Sequence, residues 1–346
     1  MKAAVLEKIN FPLKIRKNII FDSLFRGQVL IKVVYTGICQ SQIQEIYNGR
    51  QNKRYIPHLL GHEATGIVLD KHKSVKKIKK GDKVILSWIK SKGIQSKNPV
   101  YFCKDTKKKI NSGSVTTFSN YSIVSENRLI KLDKEISMKK GVILGCAFPT
   151  GSGMIINNTK LNKTKKICFV GLGGVGVSAL LTAINYESKE IYAIDISKKR
   201  IEHLKKYLPK KIKFITISNK NFQKKIVHNY KDYFDYVIES SGKSEGIEFS
   251  LKILNKKGSL IFASHPNKKE KIKINPFELI KGKKIYGSWG GNVNYDKQKK
   301  IIFKFFKKIR NYDKIFLEKE YNLQKINFAI QDLKQKKVLR PIVRLI

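Results

Sequence analysis

The stretch Ile167-Cys168-Phe169-Val170-Gly171-Leu172-Gly173-Gly174-Val175-Gly176 decides the fold of this 346-residue chain. Four apolar residues run into a G-x-G-x-x-G loop, and Val177 to Asn185 continues as a helical stretch. A strand that is apolar at every residue belongs in a sheet covered on both faces. Gly171 permits the tight turn, Gly173 lets a pyrophosphate approach the backbone, and Gly176 allows helix and strand to pack closely. The N-terminus of the helix then offers free N–H groups to the phosphates. Asp195 closes the next strand, Glu190 to Asp195, 19 residues after Gly176. An acid there binds both ribose hydroxyls and repels a 2′-phosphate, which predicts NAD over NADP.

Working outward, the pattern repeats. Lys198 to Leu208 reads as a helix, and Phe214 to Ile217, Tyr236 to Glu239 and Ser259 to Ala263 read as further strands with helical spacers. Such alternation predicts a doubly wound parallel sheet. Before residue 150 the chain is β-rich, with strands at Val29 to Tyr35, Gly66 to Leu69, Lys83 to Leu86 and Phe118 to Val124. Helical periodicity first becomes clear at Ile136 to Leu144. From Ile285 onward come a glycine-punctuated strand, a basic helix at Lys297 to Arg310 and a short tail.

Hydrophobic residues make up 41% of the chain, enough to bury a large core in an α/β protein of two domains. The formal net charge is +46, which points first to nucleic acid or an anionic membrane. Yet only nine of the 72 basic residues are Arg, the side chain whose planar fork grips phosphates and reads bases. Lys is spread from end to end, so the charge reads as a solvated coat produced by biased coding, and no specific nucleic-acid partner is expected. Four cysteines, at 39, 103, 146 and 168, are too few and too scattered for a disulfide framework. No apolar run approaches the roughly 20 residues of a membrane helix. Glu7 interrupts the start too soon for a signal-peptide core, and the expected location is cytoplasmic.

A second signal lies in the β-rich half. Cys39 stands in Gly37-Ile38-Cys39-Gln40-Ser41, His62 in Gly61-His62-Glu63 and Cys146 in Gly145-Cys146. Two thiolates and an imidazole suit Zn²⁺, and three protein ligands leave a fourth position open for chemistry. The separations, 23 and 84 residues, fit equally well two buried cysteines and a structural histidine.

Several stretches together resemble the zinc-dependent alcohol dehydrogenases of the medium-chain dehydrogenase/reductase superfamily. They are Thr36-Gly37-Ile38-Cys39, Leu60 to Val68, Lys80 to Ile85, Gly145-Cys146 with Thr150-Gly151, and the glycine loop, in that order along nearly the whole chain. The resemblance implies a GroES-like catalytic domain, 1–148 and 288–346, holding an inserted Rossmann domain, 149–287, that binds NAD. It implies one catalytic zinc on Cys39, His62 and Cys146, with Glu63 close to the metal and Ser41 taking the alcohol proton. Thr150 and Val175 would press on the nicotinamide. Gly171, Gly173, Gly174 and Gly176 would cradle the pyrophosphate, Asp195 and Lys198 would meet the adenosine ribose, and Arg340 would clamp the pyrophosphate. The glycine-rich strand Tyr286 to Gly291 lies where relatives pair, so a homodimer is expected.

Departures from the pattern are equally informative. Gln42 stands where the family carries an acid behind the ligand histidine, and Gln44 where a relay histidine stands. Ser87 to Tyr101 contains no cysteine, so the lobe that holds a second, structural zinc is missing. The expected activity is reversible hydride transfer between an alcohol and NAD. Two rival readings are a zinc-free reductase of the quinone or enoyl type and a polyanion-binding protein on the same scaffold.

Overall fold

The computed structural model describes residues 1–47, 55–266, 270–316 and 318–346. They divide into two units, Met1–Cys146 with Asn294–Phe303 and Phe316–Ile346, and Ala147–Val293 with Lys304–Ile315.

The strand Gln28–Gly37 organises the first unit. Val29, Ile31 and Val33 are buried while Leu30 and Lys32 are half-buried, the period-two pattern of a strand with one face on a core. It pairs antiparallel with Glu63–Lys71, Tyr121–Ser125 and the C-terminal strand Pro341–Arg344. Lys83–Ser87 and Leu129–Lys131 extend this seven-stranded sheet on one side, and Lys319–Asn322 on the other. The tail of the chain thus returns to the first unit. Two three-stranded sheets complete its β structure. Ile31, Val33, Ala64, Val68, Val84 and Leu86 share one core cluster. A second forms where helix Gln40–Tyr47, through Ile43 and Ile46, meets Ile326, Ala329 and Ile330 of helix Ile326–Lys334.

In the second unit six parallel strands run along the chain as β1 (Lys166–Val170), β2 (Glu190–Asp195), β3 (Ile212–Thr216), β4 (Phe234–Glu239), β5 (Leu254–Phe262) and β6 (Lys284–Gly287). They stand in the order β3-β2-β1-β4-β5-β6. Ile167, Cys168 and Phe169 are fully buried, as a strand covered on both faces must be. The order reverses between β1 and β4, and the carboxyl ends of these strands open the crevice in which such sheets bind ligands.

Three differences from the sequence expectations have physical causes. The division falls at 146/147 and 293/294, and Lys304–Ile315 joins the second unit. Phe305 and Phe306 pack edge-on against Tyr186 and Phe148 there, with ring centroids 5.9 and 5.0 Å apart. The helix expected over Ile136 to Leu144 is instead a single turn, Met138–Gly141, capped by Ser137, and a 3₁₀ turn, Val142–Gly145. Helices Gln40–Tyr47 and Ala147–Asn158 were not anticipated. Among the described residues no helix is long and apolar enough to cross a membrane.

Candidate functional site

Strand pairing in the first unit brings the candidate metal ligands together. Thr36 lies opposite Ala64, so Cys39, just beyond the end of Gln28–Gly37, comes beside His62, just before Glu63–Lys71. Gly61 turns the chain into His62 with φ +90°, in the left-handed region that favours glycine, and a Cβ there would meet Thr117 Oγ1 at 2.3 Å. Cys146 follows the 3₁₀ turn Val142–Gly145. One ligand atom from each of Cys39, His62 and Cys146 lies within 4.8 Å of the others, the grouping expected from the sequence. His62 Nε2 is 3.3 Å from Cys146 Sγ. Cys103 and Cys168 are buried elsewhere and take no part.

The two thiols are unequal. A hydrogen bond from Cys146 holds Cys39 well below the usual thiol range against the opposing effect of burial, with help from His62 and Arg340. The same bond, together with burial, pushes Cys146 well above it. A soft dication that displaces the thiol protons would find two thiolates and an imidazole. This donor set fits zinc.

Glu63 is fully buried and pairs with Arg340, whose Nη2 lies 2.7 Å from Glu63 Oε2. The side chains are only 1% and 5% exposed. Behind His62, Gln42 Nε2 lies 3.1 Å from Nδ1, and Gln42 Oε1 accepts from Gly61 N–H at 2.5 Å. Ser41 and Gln44 are half-buried on the same short helix.

The glycine loop belongs to the second unit. Gly171 has φ +86°, and its N–H reaches Ile194 O on β2. A Cβ on Gly176 would fall 2.0 Å from Gly171 O, so glycine is required for the helix to start there. Gly173 caps helix Gly174–Ala183, and a Cβ on it would meet nothing within 4 Å. Open space therefore faces the unpaired N–H groups of the first turn, and a pyrophosphate fits this cradle. Val175 is half-buried in that turn, and Thr150 is buried in helix Ala147–Asn158.

Asp195 ends β2 and accepts from Leu172 N–H at 2.7 Å and Ser197 N–H at 2.8 Å. Arg200 Nη1 is 3.3 Å from its Oδ2, a base that sequence reasoning missed. Lys198 points into solvent and pairs with Glu202. A signal for Arg200 existed. Ser197 caps the helix Lys198–Lys205 through Arg200 N–H, and a side chain in a first turn leans back toward the N-terminus. Also unforeseen is the support behind the loop, where Ser240 Oγ donates to Gly171 O at 2.8 Å. Glu239, buried on β4, holds Ser241 N–H at 2.7 Å, and burial raises its carboxyl above the usual range.

Comparison with known proteins matches a domain family in each part of the chain. Residues 26–134 match the alcohol dehydrogenase GroES-like domain family, and residues 174–307 match the zinc-binding dehydrogenase family. Alcohol dehydrogenase 6 of Peromyscus maniculatus is 27% identical over 368 residues, covering 99% of this chain and 97% of the relative. Alcohol dehydrogenase class-2 isozyme 2 of Oryctolagus cuniculus is also 27% identical, over 371 residues and the same shares. Among solved structures, an alcohol dehydrogenase zinc-binding domain protein from Burkholderia ambifaria superposes with a TM-score of 0.85 at 23% identity, covering 100% of this chain and 98% of its own. Benzyl alcohol dehydrogenase from Acinetobacter calcoaceticus gives 0.84 at 24%, covering 100% and 99%. These two share the fold. With both domain families matched in order, the chain belongs to the zinc-binding alcohol dehydrogenases, an oxidoreductase family of the medium-chain type.

Proposed function

We propose that this chain is an NAD-dependent alcohol dehydrogenase with one catalytic zinc, interconverting a small alcohol and its aldehyde or ketone. The observation that carries this reading is the convergence of Cys39, His62 and Cys146, which would hold the metal and leave a position open for substrate. When bound, zinc supplies a Lewis acid for the alcohol oxygen and the nicotinamide ring accepts the hydride. Ser41, two residues from Cys39, is the hydroxyl assigned to receive the alcohol proton. Glu63 keeps a negative charge behind the ligands, fixed by Arg340. Arg340 gives Nη2 to Glu63 and bonds to Cys39 as well, and a pyrophosphate clamp is the further role proposed for it.

Gly171, Gly173, Gly174 and Gly176 form the proposed phosphate cradle, while Val175 and Thr150 support the nicotinamide. Asp195 is the proposed ribose acceptor, now with Arg200 beside it as well as Lys198 nearby. The carboxylate of Asp195 favours NAD over NADP. A homodimer through the outer edge of β6 is supported by exposed Tyr286 and Trp289 next to that edge, although the +46 charge opposes association at low salt. A cytoplasmic location is part of the same reading, in keeping with four cysteines that form no disulfide.

Cys39→Ser tests the proposal. It should abolish NAD-linked alcohol oxidation while leaving NADH binding within about twofold of the parent, since the glycine loop contains none of the metal ligands. Retained turnover would overturn the zinc mechanism.

A further inference from the structure

Gln42 is 3% exposed, and its neighbours dictate which way its amide points. Gly61 N–H can only donate, and it faces Gln42 Oε1 at 2.5 Å. Glu45 Oε2 accepts from Gln42 Nε2 at 3.2 Å. Both contacts set the oxygen toward Gly61 and the NH₂ toward Glu45. The second amide hydrogen is then directed at His62 Nδ1, 3.1 Å away, which must act as acceptor. A neutral imidazole that accepts at Nδ1 carries its proton on Nε2. Yet Nε2 is the nitrogen turned toward Cys146 Sγ, the one that would ligate a metal. Ligation through Nε2 needs the opposite tautomer, with the proton on Nδ1 and an acceptor behind it.

We propose that Gln42 is a positioning residue that holds His62 in the tautomer unfavourable to metal, so that zinc capture requires the Gln42 amide to turn over. The inference rests on the zinc reading above. Turning the amide sets its NH₂ against Gly61 N–H and its oxygen against Glu45 Oε2, donor facing donor and acceptor facing acceptor. Gly61 has little room to adjust, because its left-handed backbone is packed against Thr117 and Phe118. The cost falls on the affinity for the ion. A carboxylate at position 42 would accept from Gly61 N–H and His62 Nδ1–H at once and remove the conflict.

The test is zinc affinity, measured by competition with a chromophoric chelator, for the parent, Gln42→Glu and the double variant Gln42→Glu/Glu45→Gln. The double variant removes the like charge that Gln42→Glu places next to Glu45. Circular dichroism checks that each is folded. The expected result is a dissociation constant about 10–100-fold lower in the double variant than in the parent. Histidine-selective ¹⁵N spectra of the parent should show His62 protonated at Nε2 before zinc and at Nδ1 after it, which decides the matter even if the variants fold poorly. Equal zinc affinity in the folded double variant and the parent, or an Nδ1 proton on His62 before zinc, would overturn the proposal. Zinc binding by neither protein would instead refute the metal reading of the site, and this inference with it.

Discussion

Replacing Arg340 by Leu strands the buried carboxylate of Glu63 and tests how the site is held together. The two groups are 2.7 Å apart and almost wholly enclosed. At that separation their attraction is about 6 kcal/mol for an effective dielectric of about 20. Desolvation of both ions offsets much of this, and removing one partner of such a pair typically costs about 3–5 kcal/mol, because the other charge stays buried. A unit of this size loses roughly 2–4 °C of melting temperature per kcal/mol, so Arg340→Leu should melt about 6–20 °C below the parent. Glu63→Leu should behave alike. Combining the two removes both buried charges, and the double variant should melt well above either single one, near the parent. Thermal unfolding followed by circular dichroism at one pH and salt concentration reads all four proteins. If Arg340→Leu melts within about 2 °C of the parent, or the double variant is the least stable of the set, the pair is not the buried element described.

Two glycines of the loop should respond differently to alanine. At Gly176 the new Cβ would meet Gly171 O at 2.0 Å and Ser240 Oγ at 2.6 Å, so Gly176→Ala should lose about 1–3 kcal/mol in urea unfolding and weaken NADH binding. At Gly173 the Cβ meets nothing, so Gly173→Ala should unfold like the parent yet bind NADH about tenfold or more weakly, by fluorescence titration. An unchanged dissociation constant would move the pyrophosphate elsewhere. Glu190 accepts hydrogen bonds from Lys213, Tyr233 and Tyr192, and Lys213 foremost brings its carboxyl down from 4.5 to about 2. A lowered value means stabilisation that is full above about pH 4.5 and lost as pH falls through about 2. The stability difference between the parent and Glu190→Gln should therefore shrink across that window, and a difference independent of pH would refute the assignment.

The Rossmann half was legible because its strands announce themselves. Ile167 to Val170 is apolar throughout, and the glycine spacing beside it has few structural uses. The metal ligands were legible only through the family resemblance, since separations of 23 and 84 residues encode nothing locally. Helix Gln40–Tyr47 escaped notice because its apolar residues, Ile43 and Ile46, are few and are matched by Ile326 and Ile330, nearly 300 positions away. Arg340 shows the same limit. Its pairing with buried Glu63, 277 positions away, has no local signature in the sequence. Lys198 was named through the family resemblance, whereas the cap at Ser197 turns Arg200 toward Asp195 and leaves Lys198 beside Glu202 in solvent.

The most direct test of the account is metal content per chain, by elemental analysis of protein purified without chelator and then exposed to stoichiometric zinc, for the parent and Cys146→Ser. The donor set predicts about one zinc per chain in the parent, with no second ion, and far less in the variant. No zinc in the parent, with NADH still bound, would contradict the central claim and leave a metal-free reductase on the same fold.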